Sequence, residues 1–355
     1  MAEGPAGMFF CFLHLLSRRI IGLFFLLQRP MPDPTPRLVF LDRSTLDAGD
    51  IDFSSLASLG ELVCHDTTLP QDRAARVAGA SVILTNKVLV DAAVMDAAPD
   101  LRFIQVVATG TNNVELDAAR ARGIAVGNVS GYSTHSVAQH VFTLLLNLAT
   151  NVHRYAQEAP LWAQSPHFTR LDYPMTELSG RTLGIVGLGA IGSEVAKIGE
   201  ALGMEIIVLA REGSPASSST PSWPRLQLAE FLARADAVTL HCPLTEATRH
   251  LINAKNLALM KPGAFLINTG RGPLVDELAL AEALRSGHLG GAGLDVLAVE
   301  PPPADHPLLA TDLPNLIVTP HTAWATREAR RRLLDGVVAN VKAHLSGQPV
   351  PWKVA

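Results

Sequence analysis

The chain has 355 residues, 48 % hydrophobic and 17 % charged, which excludes a disordered polymer and leaves room for two domains of ordinary size. A formal net charge of −4 with no block of basic residues argues against nucleic acid as a partner. Three widely spaced cysteines, Cys11, Cys64 and Cys242, and histidines without metal-ligand spacing give neither a disulfide framework nor a metal site, and fit a reducing, cytoplasmic setting.

Residues 8–14 and 20–27 are apolar, but Ser17-Arg18-Arg19 splits them, so neither half spans a bilayer. The charges also follow the first apolar stretch, the wrong order for a signal peptide. Residues 1–30 therefore read as an extension outside the fold, with Met31 as the functional start, or as an interfacial amphipathic anchor. No stable membrane insertion is expected. From Arg37 onward, β-rich runs at 37–42, 61–66, 81–86, 102–108 and 124–129 are interleaved with helical stretches at 71–78, 91–97 and 114–122. That order predicts a small doubly wound α/β unit. A helix is expected from Thr134 to Tyr155, apolar almost throughout 141–148 and long enough to link domains or form a dimer arm.

A second α/β unit starts at Thr182, with six parallel strands expected at 182–187, 205–210, 237–242, 264–269, 292–296 and 316–319. The Ser- and Pro-rich stretch 213–224 reads as a surface loop. A final amphipathic helix over 327–345 is expected to pack back on the first unit. The sharpest signal is Gly187-Leu188-Gly189-Ala190-Ile191-Gly192, which sits between an apolar strand and a helix ended by Gly203. In that setting the first glycine permits the tight turn, the second admits a pyrophosphate, and the third lets helix and strand pack closely.

Three further segments follow in fixed order, each just past a predicted strand: Asn268-Thr269-Gly270-Arg271, Gly293-Leu294-Asp295 through Glu300-Pro301, and Thr319-Pro320-His321-Thr322-Ala323-Trp324. Open α/β sheets bind ligands at such strand ends. An Arg, a Glu and a His converging there suit acid–base chemistry on an anionic substrate.

With Ala108-Thr109-Gly110-Thr111-Asn112-Asn113-Val114 and Gly131-Tyr132-Ser133-Thr134, this ordered set resembles the D-isomer-specific 2-hydroxyacid dehydrogenase family. Within it the chain looks most similar to bacterial glycerate dehydrogenase/hydroxypyruvate reductase. The resemblance implies an α/β protein of two doubly wound parallel-sheet domains. A Rossmann-type cofactor domain (130–320) would be inserted in a flavodoxin-like substrate domain (31–129 and 321–355). It implies NAD(P)H-dependent reduction of a small 2-keto acid, hydroxypyruvate or glyoxylate favoured, to the D-2-hydroxy acid.

Residue by residue, the resemblance makes His321 the proton donor, Glu300 its orienting partner and Arg271 the grip on the substrate's carboxylate and carbonyl oxygen. The backbone N–H groups of Thr109 and Gly110 would complete the carboxylate cradle. Cofactor contacts would come from Thr109, Gly187, Gly189, Ala190, Ile191, Gly192, Arg211, Cys242, Thr269, Gly270, Arg271, Asp295 and His321. Asp295 would hold the nicotinamide carboxamide or else cap a turn, and Trp324 would line the pocket or pack in the core. Ser130 stands where the family usually has proline, and Gln139 where it often has glutamate.

NAD-specific versions of the glycine turn end the second strand on a carboxylate that bonds the adenine ribose. Ala210 occupies that position, Arg211 follows, and Ser214 is close enough to donate to a phosphate, so NADP(H) is favoured over NAD(H), with Glu212 as the opposing feature. A homodimer is expected from the helix at 134–155. The alternative function in the same fold is a nucleotide-sensing protein resembling the C-terminal-binding-protein type of corepressor.

Overall fold

The computed structural model describes residues 35–211, 223–310 and 312–355. The expectations for residues 1–30, Met31, Glu212 and Ser214 lie outside them.

Strands β1 (Arg37–Phe40), β2 (Glu61–Cys64), β3 (Val82–Thr85), β4 (Phe103–Val106) and β5 (Ala125–Gly127) form one parallel sheet in the order β2-β1-β3-β4-β5. Every residue of β3 and β4 is buried, as expected where helices cover both faces. The pleat of β1 shows the two faces. Leu38 and Phe40 enter one core with Leu333 and Val337, while Val39 enters the other with Val94 and Met95.

A second parallel sheet holds β6 (Thr182–Val186), β7 (Glu205–Leu209), β8 (Arg225–Leu226), β9 (Ala237–Leu240), β10 (Phe265–Asn268), β11 (Gly291–Leu294) and β12 (Leu316–Val318). Its order is β12-β11-β10-β9-β6-β7-β8, so it has seven strands where six were expected. The additional strand, β8, pairs only Arg225 and Leu226 with β7, too short to leave a β-rich run in the sequence. In this sheet the winding reverses between β6 and β9; in the smaller one it reverses between β1 and β3. Both reversals open crevices at strand carboxyl ends.

Helix α1 (Thr134–Thr150) lies on the larger sheet beside α2 (Ala190–Ala201). The single helix expected to reach Tyr155 is interrupted at Asn151, which takes a left-handed φ of 51° before a short helix resumes at Val152–Gln157. Asparagine tolerates that conformation better than most residues, and its Nδ2 donates to the Pro174 carbonyl at 2.8 Å. Helix α3 (Arg327–Leu345) returns to the smaller sheet, burying Ala329, Leu333, Val337 and Val341 there. Among the described residues no helix is long and apolar enough to cross a membrane.

Candidate active site

A cavity of about 730 Å³ opens between the carboxyl ends of the two sheets. Loops after the smaller sheet's strands contribute Asn86, Lys87, Thr109 and Gly110, loops after the larger sheet's strands contribute Cys242, Thr269, Arg271, Asp295, Glu300 and His321, and Tyr132 and Ile191 complete the lining. Strand ends carry these residues because parallel strands deliver all their following loops to the same edge.

The glycine turn borders this cavity. Gly187 has φ 97°, and a Cβ there would lie 2.6 Å from the Cys242 nitrogen. A Cβ on Gly192 would lie 2.1 Å from the Gly187 carbonyl oxygen, so the start of α2 can close on the turn only with glycine. Gly189 faces open space. As N-cap of α2 it supplies no side chain, which leaves the first N–H groups and the positive end of the helix dipole available to an anion. The buried hydroxyl of Thr269 has no partner among the described residues. A dinucleotide pyrophosphate and its attached groups fit this combination of an open cradle, helix terminus and orphan donor.

His321 follows β12 and has φ 55°, a region few residues without glycine's freedom adopt. Its N–H is held between the carbonyls of Asp295 (2.9 Å) and Thr319 (3.0 Å). Its Nδ1 lies 2.6 Å from a Glu300 carboxylate oxygen. With Nδ1–H donating to Glu300, Nε2 is the nitrogen left for other chemistry. The other Glu300 oxygen accepts from Leu297 N–H at 3.0 Å. Burial pushes the Glu300 carboxyl up, but the His321 bond and charge, the Leu297 amide and Lys87 outweigh it, holding Glu300 below its ordinary value.

Asp295 is 1 % exposed and ties this loop together. One oxygen accepts from the Thr319 hydroxyl (2.6 Å) and Thr322 N–H (2.9 Å), and the other accepts from Ala323 N–H (2.9 Å). Because the Thr319 hydroxyl donates to Asp295, its oxygen accepts, so His140 Nε2 at 2.9 Å carries the proton between them. Arg271 Nη1 donates to the Gly270 carbonyl at 2.8 Å, and a Cβ on Gly110 would be 2.9 Å from Arg271 Nη2. The guanidinium therefore meets the Thr109–Gly110 turn of the opposite domain. No protein group engages the N–H of Thr109 or Gly110 among the described residues.

Of the residues expected from sequence, Thr109, Gly110, Ile191, Cys242, Thr269, Gly270, Arg271, Asp295, Glu300 and His321 line the cavity. Gly187, Gly189, Ala190 and Gly192 form the adjoining turn. Arg211 stands apart, exposed just past β7. Trp324 does both things expected of it, lining the cavity and packing edge-on to Tyr132 with ring centres 6.2 Å apart. Sequence reasoning missed Lys87, Tyr132 and His241. Counting residues past the end of each strand in the first unit would have found Lys87, and Tyr132 stands in the Gly131–Thr134 segment that carries the family resemblance; His241 lacks any local signal. His241 is forced down to about 4 by burial, and its Nε2 lies 2.9 Å from the Thr239 hydroxyl.

The family model for the NAD-binding domain of D-isomer specific 2-hydroxyacid dehydrogenases matches residues 142–323. A glycerate dehydrogenase of Methylorubrum extorquens is 42 % identical over 89 % of this chain and 98 % of its own. A hydroxypyruvate reductase of Blautia hydrogenotrophica is 38 % identical over 88 % of this chain and 98 % of its own. Among solved structures, an NADPH-dependent glyoxylate/hydroxypyruvate reductase of Sinorhizobium meliloti, in complex with NADP and malonate, is 30 % identical with a TM-score of 0.73. That alignment covers 90 % of this chain and 97 % of the other.

Proposed function

The chain belongs to the D-isomer-specific 2-hydroxyacid dehydrogenase family, and from that premise we propose that it reduces hydroxypyruvate or glyoxylate to the D-2-hydroxy acid, using NADP(H) in preference to NAD(H). The observation that carries this reading is the meeting, in one cleft, of the Glu300–His321 pair, an Arg271 without a carboxylate partner among the described residues, and the glycine turn. A nicotinamide dinucleotide with its pyrophosphate on the turn would supply the hydride.

The residues of this chain would do the rest. Arg271 presents a planar fork to the substrate carboxylate and carbonyl oxygen, with the N–H groups of Thr109 and Gly110 opposite. His321 Nε2 donates a proton to the carbonyl oxygen as charge develops there. Glu300 keeps the ring oriented and compensates its positive charge. Among the described residues the Asp295 carboxylate accepts three hydrogen bonds, with His140 Nε2 a further 3.5 Å from one oxygen, and its remaining lone pairs would take the carboxamide. Residues 31–129 with 321–355 would form the substrate domain and 130–320 the cofactor domain. The two would close on the ligand, excluding water.

The cofactor preference rests on the end of β7. Ala210 offers no carboxylate against a 2′-phosphate, and Arg211 is exposed beside it. The Sinorhizobium meliloti reductase, similar along nearly its whole length, is described as NADPH-dependent. A homodimer is proposed from the apolar side chains left open between Leu146 and Met175.

The test is the initial rate of NADPH and NADH oxidation with hydroxypyruvate, glyoxylate and pyruvate, with His321→Ala alongside. Turnover of the first two, faster with NADPH and lowered about 10²- to 10⁴-fold in the variant, is the expected result. Faster turnover with NADH would remove the cofactor preference. Tight nucleotide binding without turnover of any keto acid would overturn the enzymatic reading in favour of nucleotide sensing.

A further inference from the structure

We propose that Lys87 determines which keto acids the cleft prefers, its ammonium receiving an oxygen-bearing group on the carbon beyond the carbonyl: a hydroxyl, or more strongly a second carboxylate. The inference rests on the reductase reading above and assigns a residue to the far end of its substrate.

Position comes first. Strand β3 ends at Thr85, and Asn86 and Lys87 follow it into the cleft, in the domain facing Arg271. The loop is held from beneath. The Asp42 carboxylate, 3 % exposed, accepts the N–H groups of Asn86 (2.9 Å), Lys87 (2.6 Å) and Val88 (3.1 Å). The Val88 carbonyl in turn accepts from the Thr85 hydroxyl (3.0 Å) and Asn113 Nδ2 (3.1 Å). A backbone fixed this thoroughly presents its side chain as a preorganised element.

Charge is the second point. Among the described residues neither Arg271 nor Lys87 forms an ion pair, although both line the same cavity. A 2-keto acid with one carboxylate needs one such cation, and the planar guanidinium is the better grip for it. The second cation is then in excess for pyruvate, whose methyl group offers it nothing. Hydroxypyruvate would bring a hydroxyl to it. Burial is the main influence lowering the Lys87 ammonium's proton affinity, and the Arg271 charge adds to it against the Glu300 and Asp42 carboxylates. An oxygen of the substrate would therefore supply an acceptor that the protein withholds.

The experiment compares wild type, Lys87→Met and Lys87→Arg. In Lys87→Met, the ratio of kcat/KM for hydroxypyruvate to that for pyruvate should fall about tenfold or more, the worth of one hydrogen bond to a charged group. Lys87→Arg should keep most of the ratio. An equal loss on both substrates, or an unchanged ratio, would overturn the proposal and leave Lys87 as a partner of Glu300 or a structural residue.

A second arm needs no turnover. With NADP⁺ present, tartronate should raise the melting temperature of the wild type more than glycolate does, and Lys87→Met should erase the difference. No difference in the wild type, or one that survives in the variant, would refute the role of Lys87. Absence of turnover in the wild type speaks only to the reductase reading, so the two failures are distinguishable.

Discussion

At the scale of single residues, the site depends on conformations that cost free energy and are held by neighbours. His321 stays at φ 55°, a strain of about 1 kcal/mol or more, because its N–H is fixed by Asp295 and Thr319 while Nδ1 is fixed by Glu300. His321, Glu300 and Arg271 were legible in the sequence, since each stands in a distinctive segment after a strand. His241 was not, because a histidine after an apolar strand carries no pattern. Its burial gives a testable pH dependence. A folded-state value of about 4 against 6.5 means the unfolded chain takes up the proton first. Stability from this group is complete above about pH 6.5, is lost as the pH falls, and levels off below about 4. The loss is up to about 3 kcal/mol, less in proportion to how much of the ring stays wet. Denaturant unfolding of wild type and His241→Gln at pH 7.5 and 4.5 checks this: the stability lost between the two pH values should be smaller in the variant. An equal loss in both would show that the ring is not held neutral.

At the scale of elements, loops from different strands must touch for the constellation to form. Gly272 shows how closely. A Cβ there would lie 2.0 Å from the Leu297 carbonyl carbon and 2.3 Å from the Ala298 nitrogen, so the loop carrying Arg271 presses directly on the loop carrying Glu300. Gly272→Ala must push the two apart, and displacements of about 1 Å at a reacting centre cost about 100-fold. Steady-state kinetics should show kcat/KM reduced by about that factor, with far-ultraviolet circular dichroism unchanged. A variant within threefold of wild type would mean that the contact does not set the geometry. The interruption of the predicted helix at Asn151 and the short strand β8 escaped the sequence for related reasons. One depends on a side-chain bond to Pro174, the other on an edge offered by β7.

For the whole molecule, the stretch after α1 leaves apolar groups without cover. Phe168 is 91 % exposed and Leu171 73 %, with Trp162 and Met175 also more than half exposed. Such a patch in a folded protein marks an interface, and a second copy of the chain is the proposed occupant. Sedimentation velocity at micromolar concentration should give twice the mass of the chain. Phe168→Ser with Leu171→Ser should give a monomer. A monomeric wild type would dismiss the proposed dimer.

What the sequence determined by itself was local and periodic: the runs that became β1 to β7 and β9 to β12, the strand–turn–helix around Gly187, and the order of Arg271, Glu300 and His321. Apolar periodicity and glycine placement act over a few residues, so they can be read along the chain. Tertiary structure decided what meets across long separations. It placed Lys87 in the cleft with Arg271, brought Asp42 under the β3 loop, and locked His140, Thr319 and Asp295 together. Those encounters follow from sheet order and from two domains facing each other. A linear pattern of residues does not encode which strand ends will share an edge, because that is set by packing the whole chain.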